Sequence, residues 1–195
     1  MKALPAVSKR PNGGMPDSGR FPRFRAALLV ALGWSLAAPP ALAEASENDV
    51  TIAARALGFL EKPLTGAVRV GIVYAADNPQ SVQDAAALQK IMARGLTVGG
   101  LSLTPVLVPA GSIDGAKLDL LFLAGDTGAS ASKAGDAARA RRLPCITLDI
   151  EQVRNGNCAI GIESEPRVEI LVNQDAASRS GVSFAGAFKM LITEF

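Results

Sequence analysis

The alternation of short apolar runs with helical segments is the feature that most constrains the fold of this chain. Four runs rich in Val, Ile and Leu have the composition of buried strands, and they cover 68–74, 101–108, 118–124 and 144–149. Helical spacing of apolar residues lies before and between these runs, over 50–60, 82–94 and 129–142. Strands that are apolar throughout and alternate with helices predict a parallel sheet covered by helices on both faces.

The C-terminal part of the chain departs from this strict alternation. Two further strands, predicted over 158–162 and 168–172, are joined by a polar turn and are close enough in sequence to pair as a hairpin. Helices are predicted over 174–179 and 184–195. We therefore expect residues 44–195 to form one three-layer α/β domain with a mostly parallel sheet, a C-terminal strand pair and a terminal helix.

The first 43 residues have the pattern of a secretory signal peptide. Three arginines precede an apolar stretch at 26–38, which is too short to span a bilayer comfortably. Small residues flank Leu42 in the manner of a cleavage site, so we expect cleavage after Ala43 and export to the periplasm. An uncleaved N-terminal anchor is the alternative, and Met15 is an alternative start.

The charge of the chain changes sign once this segment is removed. Residues 1–43 hold six of the 20 basic residues and one of the 18 acidic ones, which leaves 14 basic against 17 acidic residues from Glu44 onward. A chain with this balance lacks the basic stripe that nucleic-acid binding demands. We therefore expect no nucleic-acid partner.

The absence of histidine excludes several kinds of chemistry. The sequence contains no His, so Ser-His-Asp and Cys-His nucleophiles and His-ligated metal sites are ruled out. It also contains no phosphate-binding loop and no dinucleotide fingerprint. We therefore expect a protein that is not an enzyme and that needs no cofactor or metal.

The two cysteines of the chain are Cys145 and Cys158. In an exported protein an even pair is more often a disulfide than two reactive thiols. We predict a disulfide that joins the fourth and fifth predicted strands, with two buried thiols on neighbouring strands as the alternative.

Polar side chains follow several of the predicted strands, where α/β proteins bind their ligands. The candidates for a ligand site are Asn78, Ser81, Asp126, Thr127 and Asp149. Each could hydrogen-bond to a ligand, with help from the positive end of the helix that follows. The alternative is that these residues only form turns and cap helices, which is common for Asp, Asn, Ser and Thr.

Three phenylalanines are candidates for a partner-binding surface. Phe59 lies at the end of the first predicted helix, and Phe184 and Phe188 lie on one face of the last. Apolar anchors of this kind often dominate protein–protein interfaces. The same spacing is equally typical of residues that fill a core.

The C-terminal third resembles the YfiR-like periplasmic family. The strand 168–172 ends in an Asn and leads into an Ala-rich turn of helix, a Gly and a last helix, and the matching residues are Asn173, Ala176, Ala177, Gly181 and Val182. Phe59 and Pro63 are similar to the family's opening helix, whereas Lys62 replaces the usual aromatic residue. The resemblance implies a non-enzymatic periplasmic regulator that sequesters the periplasmic part of an inner-membrane diguanylate cyclase.

A second resemblance concerns residues 68–87. There a strand leads to Asn78-Pro79 and then a helix, which looks like one lobe of the periplasmic substrate-binding proteins of ABC importers. Those proteins have two lobes and are longer than this chain. This resemblance implies the alternative function, which is binding of a small molecule for import.

Overall fold

The computed structural model describes residues 45–195, so the predicted signal peptide and its cleavage site lie outside the described residues. Eight strands form the central sheet: β1 Gly66–Tyr74, β2 Thr97–Val98, β3 Leu101–Pro109, β4 Leu120–Leu123, β5 Cys145–Thr147, β6 Ile160–Glu163, β7 Glu169–Val172 and β8 Thr193–Glu194. Their order across the sheet is β2-β3-β1-β4-β5-β6-β7-β8. The predicted fold class, one α/β domain with a mostly parallel sheet, is confirmed.

The middle of the sheet is parallel and its margins are mixed. β3, β1, β4, β5 and β6 run parallel to one another. β2 is antiparallel to β3, and β6 and β7 form the predicted antiparallel pair. β8 then adds to the sheet parallel to β7. Apolar runs without polar interruption at the centre, as in β4, fit a sheet that is covered on both faces.

Six α-helices and one 3-10 turn (Ile113–Gly115) connect the strands of the described unit. The helices are α1 Glu47–Leu57, α2 Pro79–Met92, α3 Ser130–Arg141, α4 Ile150–Arg154, α5 Gln174–Arg179 and α6 Gly186–Lys189. Ser46 and Asp49 form a capping box at the start of α1, so this helix begins before the apolar positions that predict it from Val50.

Side chains that alternate along the strands divide the core into two parts. Val70 and Ile72 of β1 point to the side that carries α1 and α2, where Leu57 and Leu88 pack. Residues of the opposite parity, such as Val73 and Leu123, pack against the alanine-rich face of α3. Because side chains alternate along each strand, one face of the sheet packs against α1 and α2, and the other face packs against α3.

The predicted last helix over 184–195 is wrong in its extent. The helix covers only Gly186–Lys189, and the chain then forms the edge strand β8. Two backbone hydrogen bonds fix this ending: Phe195 N–H donates to the Val172 carbonyl, and Gln174 N–H donates to the Phe195 carbonyl. Pairing with β7 satisfies backbone groups that a longer helix would leave unpaired at the sheet edge.

The predicted disulfide between Cys145 and Cys158 is confirmed. Their Cα atoms are 5.0 Å apart, within the range that a disulfide requires. Cys145 begins β5, and Cys158 lies two residues before Ile160, where β6 pairs with β5. Both cysteines are buried in the layer that contains α3. The bridge therefore joins neighbouring strands, as expected.

Candidate functional site

The order of the strands creates a switch point between β1 and β4. The chain leaves β1 through α2 toward β3 on one side, and it leaves β4 through α3 toward β5 on the other side. The two loops therefore diverge at the carboxyl ends of adjacent strands. In open α/β sheets ligands bind in the crevice that forms at such a point.

A small cavity of about 370 Å³ occupies this switch point. We call it the switch-point hollow, and its lining residues are Ala75, Asp77, Asn78, Pro79, Asp126, Thr127, Gly128, Ala129 and Ser130. The first four of these residues come from the loop after β1 and the first residue of α2, and the other five come from the loop after β4 and the first residue of α3. The hollow therefore brings together the starts of α2 and α3.

The loop after β1 is held by two side chains. Asn78 caps α2, since its Oδ1 accepts a hydrogen bond from Gln80 N–H at 3.0 Å. Its Nδ2 donates to the Asp126 carbonyl at 2.9 Å, across the hollow. Ser81 is fully buried, and its hydroxyl accepts from Ala75 N–H at 3.2 Å. Ser81 therefore supports the loop from beneath, and Asn78 ties it to the loop after β4.

The loop after β4 presents hydrogen-bond donors without acceptors. The backbone N–H groups of Thr127, Gly128 and Ala129 donate to no acceptor within residues 45–195. Thr127 is only 2% exposed, and its hydroxyl is the one buried side-chain polar atom of the described chain that has no hydrogen-bond partner. Asp126 and Gly128 both have positive φ, of 48° and 50°, which shapes this turn.

A larger cavity of about 510 Å³ lies at the carboxyl ends of β4, β5 and β6. We call it the acidic cleft, because seven of the described residues that line it are acidic and none is Lys or Arg. The acidic residues are Asp49, Asp84, Asp126, Asp149, Glu151, Glu163 and Glu165. Its floor is apolar, with Leu88, Leu123, Leu148, Ile150 and Ile162.

Local contacts hold the carboxylates of the acidic cleft in place. Asp149 caps α4 by accepting from Glu151 N–H at 3.0 Å. Gln80 donates to Asp84 at 2.8 Å, and the Asp84 carboxylate lies so close to Gly125 that a Cβ atom there would clash with it. Among the described residues, only Glu151 of this set has a basic partner, Arg154 one turn along α4.

Asp126 lines both cavities, so the switch-point hollow and the acidic cleft adjoin at this residue. The structure thus gathers four of the five predicted ligand residues around these two adjoining cavities, together called the depression: Asn78, Asp126 and Thr127 at the hollow, and Asp149 in the cleft. The fifth, Ser81, lies in the core below it. Whether these residues bind a ligand stays a prediction.

Several residues of the depression do not stand out in the sequence. Asp49 and Asp84 belong to helices, Glu163 is the last residue of β6, and Glu165 belongs to the turn between β6 and β7. In the sequence alone, these residues have the patterns of a helix cap, a solvent-exposed helix face and a polar turn. The capping-box spacing of Ser46 and Asp49 is the one signal that places a carboxylate at a helix start.

The three phenylalanines do not form one exposed surface. Phe184 and Phe188 are buried, at 2% and 5% exposed, which corrects the expectation that both are surface anchors. Phe59 is 47% exposed and stacks on Phe188 with ring centroids 4.3 Å apart. Burial follows from the bridge between Leu60 and Phe184, which draws the segment before α6 onto the end of α1. Phe59 alone retains the exposure that a partner anchor needs.

Within residues 45–195, no cluster of three or more Cys, Asp or Glu side chains is arranged to hold a metal ion. None of the helices in that same range is both long enough and apolar enough to cross a membrane. The candidate site consists of hydrogen-bond donors at the hollow and of carboxylates and apolar side chains in the cleft.

The chain folds as an α/β domain with a mostly parallel sheet, and comparison with solved structures agrees with this fold. No protein-family model matches the sequence, and no curated protein matches it either. The YfiR-like resemblance therefore stays a prediction.

Three solved structures share the fold. They are a conserved domain protein from Vibrio cholerae O1 biovar El Tor (15% identity, TM-score 0.51), the ligand-free, open structure of CD0873, a substrate-binding protein with adhesive properties from Clostridium difficile (13%, 0.55), and an ABC domain in complex with L-Trp from Streptococcus pneumoniae (12%, 0.52). The matches cover 76%, 77% and 72% of this chain and 59% of each of those chains. At this identity the likeness establishes the fold alone.

Proposed function

We propose that this protein binds a small organic molecule in the acidic cleft and the adjoining switch-point hollow. The observation that carries the proposal is the cleft itself, an apolar-floored cavity with charged walls at the carboxyl ends of β4, β5 and β6. It lies where α/β sheets bind ligands, and two of the three structures that share the fold are described as a substrate-binding protein and a domain in complex with an amino acid.

The dimensions and chemistry of the cleft suit a small ligand. Its volume of about 510 Å³ falls within the range typical of small-molecule sites, about 300–1,000 Å³. Such sites combine an apolar lining with a few placed polar groups. Leu88, Leu123 and Ile162 supply the apolar surface, and the carboxylates of Asp84 and Asp149 supply polar contacts.

The predicted export of the protein and its disulfide support a role in import. Its signal-peptide pattern predicts export, and the Cys145–Cys158 disulfide is typical of proteins of oxidising compartments. A periplasmic protein that holds a small molecule is suited to deliver it to a membrane importer of the ABC type. This chain spans about three fifths of the length of the solved structures that it matches.

Ligand screening with a cleft-blocking variant tests the proposal. The purified chain, with its disulfide intact, is titrated with amino acids, polyamines and monosaccharides at millimolar concentration while its melting temperature is recorded. Ser164→Trp places an indole in the lining of the acidic cleft, and Ser112→Trp places one on an exposed loop outside both cavities. A ligand that stabilises the wild type and S112W but not S164W supports the cleft. Binding unaffected by S164W, or no binding by any class, would contradict it.

A second candidate function rests on Phe59. Its ring is 47% exposed and is held flat against Phe188, so it offers a fixed apolar anchor for a protein partner. With the YfiR-like resemblance, the partner would be the periplasmic part of an inner-membrane diguanylate cyclase. Co-purification of that part with wild type but not with Phe59→Ala, at unchanged melting temperature, supports this function. Equal recovery by both proteins rejects the anchor.

A further inference from the structure

We infer that the ligand is a zwitterion of the amino-acid type, whose carboxylate lies in the switch-point hollow and whose ammonium group faces the acidic cleft. This inference rests on the proposed function and adds the chemical class of the ligand. Two neighbouring surfaces that meet at Asp126 support this inference. One is made of hydrogen-bond donors and favours an anionic group, and the other is made of carboxylates and favours a cationic group.

The donor surface is the start of α3. This helix has 12 residues, and Ala129 at its N-cap position supplies no side-chain cap. The N–H groups of Thr127, Gly128 and Ala129 have no acceptor within residues 45–195. These N–H groups lie in the turn that leads into α3, where free backbone donors and the helix dipole together favour an anionic group.

Thr127 gives an independent indication of a missing acceptor or donor. Its hydroxyl is buried and is the one such side-chain group in the described chain without a partner, although Thr127 is part of the lining of the hollow. Buried hydroxyls in folded proteins are nearly always hydrogen-bonded, so an orphan at a cavity wall points to a partner supplied from outside. A carboxylate oxygen in the hollow would accept from it.

The acidic residues around the hollow disfavour a ligand that carries only negative charge. The carboxylates of Asp77 and Asp126 lie on its rim, and both would repel a ligand that carries only negative charge. A ligand with its own cationic group removes this penalty if that group lies near the same carboxylates. Asp126, which lines both cavities, is placed to face the cationic group of such a ligand.

The acidic cleft supplies the rest of the complement. Asp84 and Asp149 lie in its walls, no Lys or Arg of the described chain lines it, and Leu88 and Leu148 provide an apolar floor for a side chain. An ammonium group is attracted there, and a free carboxylate is repelled. The hollow therefore suits the carboxylate of the ligand, the carboxylates of the cleft suit its ammonium group, and the apolar floor suits its side chain.

Matched ligand analogues test the inference on the full exported chain. The twenty L-amino acids are screened by thermal shift, and the tightest binder is compared by calorimetry with its decarboxylated amine and its des-amino acid. We expect the amino acid to bind at least about tenfold more tightly than either analogue, since each analogue leaves one surface unpaired. If the amine binds as tightly as the amino acid, or if none of the twenty binds, the inference is overturned.

A substitution at Thr127 separates this inference from the proposed function. Thr127→Val removes the orphan hydroxyl with little change of shape and is expected to fold at least as stably as wild type. It should lower the affinity for the amino acid about tenfold and leave the affinity for the amine unchanged, whereas Thr127→Ser and the control Ser132→Ala should bind like wild type. Unchanged amino-acid affinity in T127V overturns the carboxylate position, although S164W would still report on the cleft.

Discussion

The side chain of Asn78 donates a hydrogen bond to the backbone carbonyl of Asp126 at 2.9 Å, and this bond joins the loops that follow β1 and β4. The same side chain caps α2 through its oxygen. Asn78 therefore sets both the start of a helix and the width of the switch-point hollow. An aspartate at this position could perform only the first of these tasks.

We predict that Asn78→Ala and Asn78→Asp separate the two roles of this side chain. N78A should lower the free energy of unfolding by about 1 kcal/mol, because the N-cap of α2 is lost. N78D keeps the cap and should change stability by less than about 0.5 kcal/mol, yet it should weaken ligand binding because the loops are no longer tied. Urea denaturation and calorimetry measure the two effects, and equal ligand affinity in N78D and wild type would contradict the second.

Gly161 of β6 is predicted to tolerate no larger residue. A Cβ atom there would lie 2.7 Å from Val153 Cγ2 and 2.8 Å from Ile150 Cδ1, so Gly161→Ala must shift these two side chains of α4. We expect a loss of about 1–3 kcal/mol of unfolding free energy, as in other overpacked cores. Gly186→Ala is the matched control, because a Cβ at Gly186 would meet no atom within 4 Å. Equal stability of the two variants in urea would show that α4 moves freely.

Removal of the disulfide should destabilise the protein strongly. The bridge spans 13 positions, and the loop-closure estimate for such a span is about 3 kcal/mol. The double variant Cys145→Ala, Cys158→Ala should therefore lose stability of that order in urea denaturation. A thiol assay on the unfolded, unreduced wild type should detect no free thiol, and two titratable thiols would refute the bridge.

Asp119 is predicted to make stability depend on acid pH. Its carboxylate accepts from the Arg69 backbone N–H at 2.9 Å and from Arg69 Nε at 3.3 Å, and these bonds hold the pKa of Asp119 below its usual value. The unfolded chain then binds a proton at a higher pH than the folded chain does. The resulting stability is present above the ordinary aspartate pKa of about 3.9 and is lost as pH falls through the lowered pKa.

The variant Asp119→Asn checks this pH dependence. Because the side chain is about one third exposed, we expect D119N to be less stable than wild type by under about 1 kcal/mol at neutral pH. The difference should shrink toward zero in strong acid. Asp114→Asn, in the 3-10 turn, is the control for neutralising an aspartate elsewhere in the chain. If D119N remains less stable than wild type at the lowest pH, the assignment of the pH dependence to Asp119 is contradicted.

The aromatic residues near the ends of the chain should respond differently to truncation. Phe184 is 2% exposed, so Phe184→Ala should lower the unfolding free energy by about 3–5 kcal/mol. Phe59 is 47% exposed and contributes mainly its stack on Phe188, so Phe59→Ala should lower it by about 0.5–1.5 kcal/mol. Thermal melts of both variants compare them directly. A loss in F59A as large as in F184A would assign Phe59 to the core.

The central strands and the helix caps were predictable because their signals are local. β1 and β4 are continuous apolar runs, and Asn78 and Asp149 are side chains that prefer the start of a helix. These local rules also place the loops at the carboxyl ends of the strands. They therefore locate the switch-point hollow, although they give no sign of the orphan hydroxyl of Thr127.

The acidic cleft and the chain ending depend on distant contacts and were not predictable. Asp84 and Glu163 are far apart in sequence, and only the tertiary arrangement, in which α1 contacts both α2 and β6, brings them to one cavity. Phe188 and Leu191 have helical spacing, yet the open edge of β7 recruits Thr193 and Glu194 as a strand. In both cases, contacts between residues that are distant in sequence determined the structure, because local preferences allowed more than one.

The Cys145–Cys158 bridge encloses β5 and α4, and so it encloses the wall of the acidic cleft that carries Asp149 and Glu151. This wall is a covalent ring rather than an open loop. A protease that cuts at the exposed Arg154 would leave the two fragments joined, with their strands still paired side by side. The cut would be visible on a gel only after reduction, because the nicked molecule keeps both sides of this wall in one covalent unit.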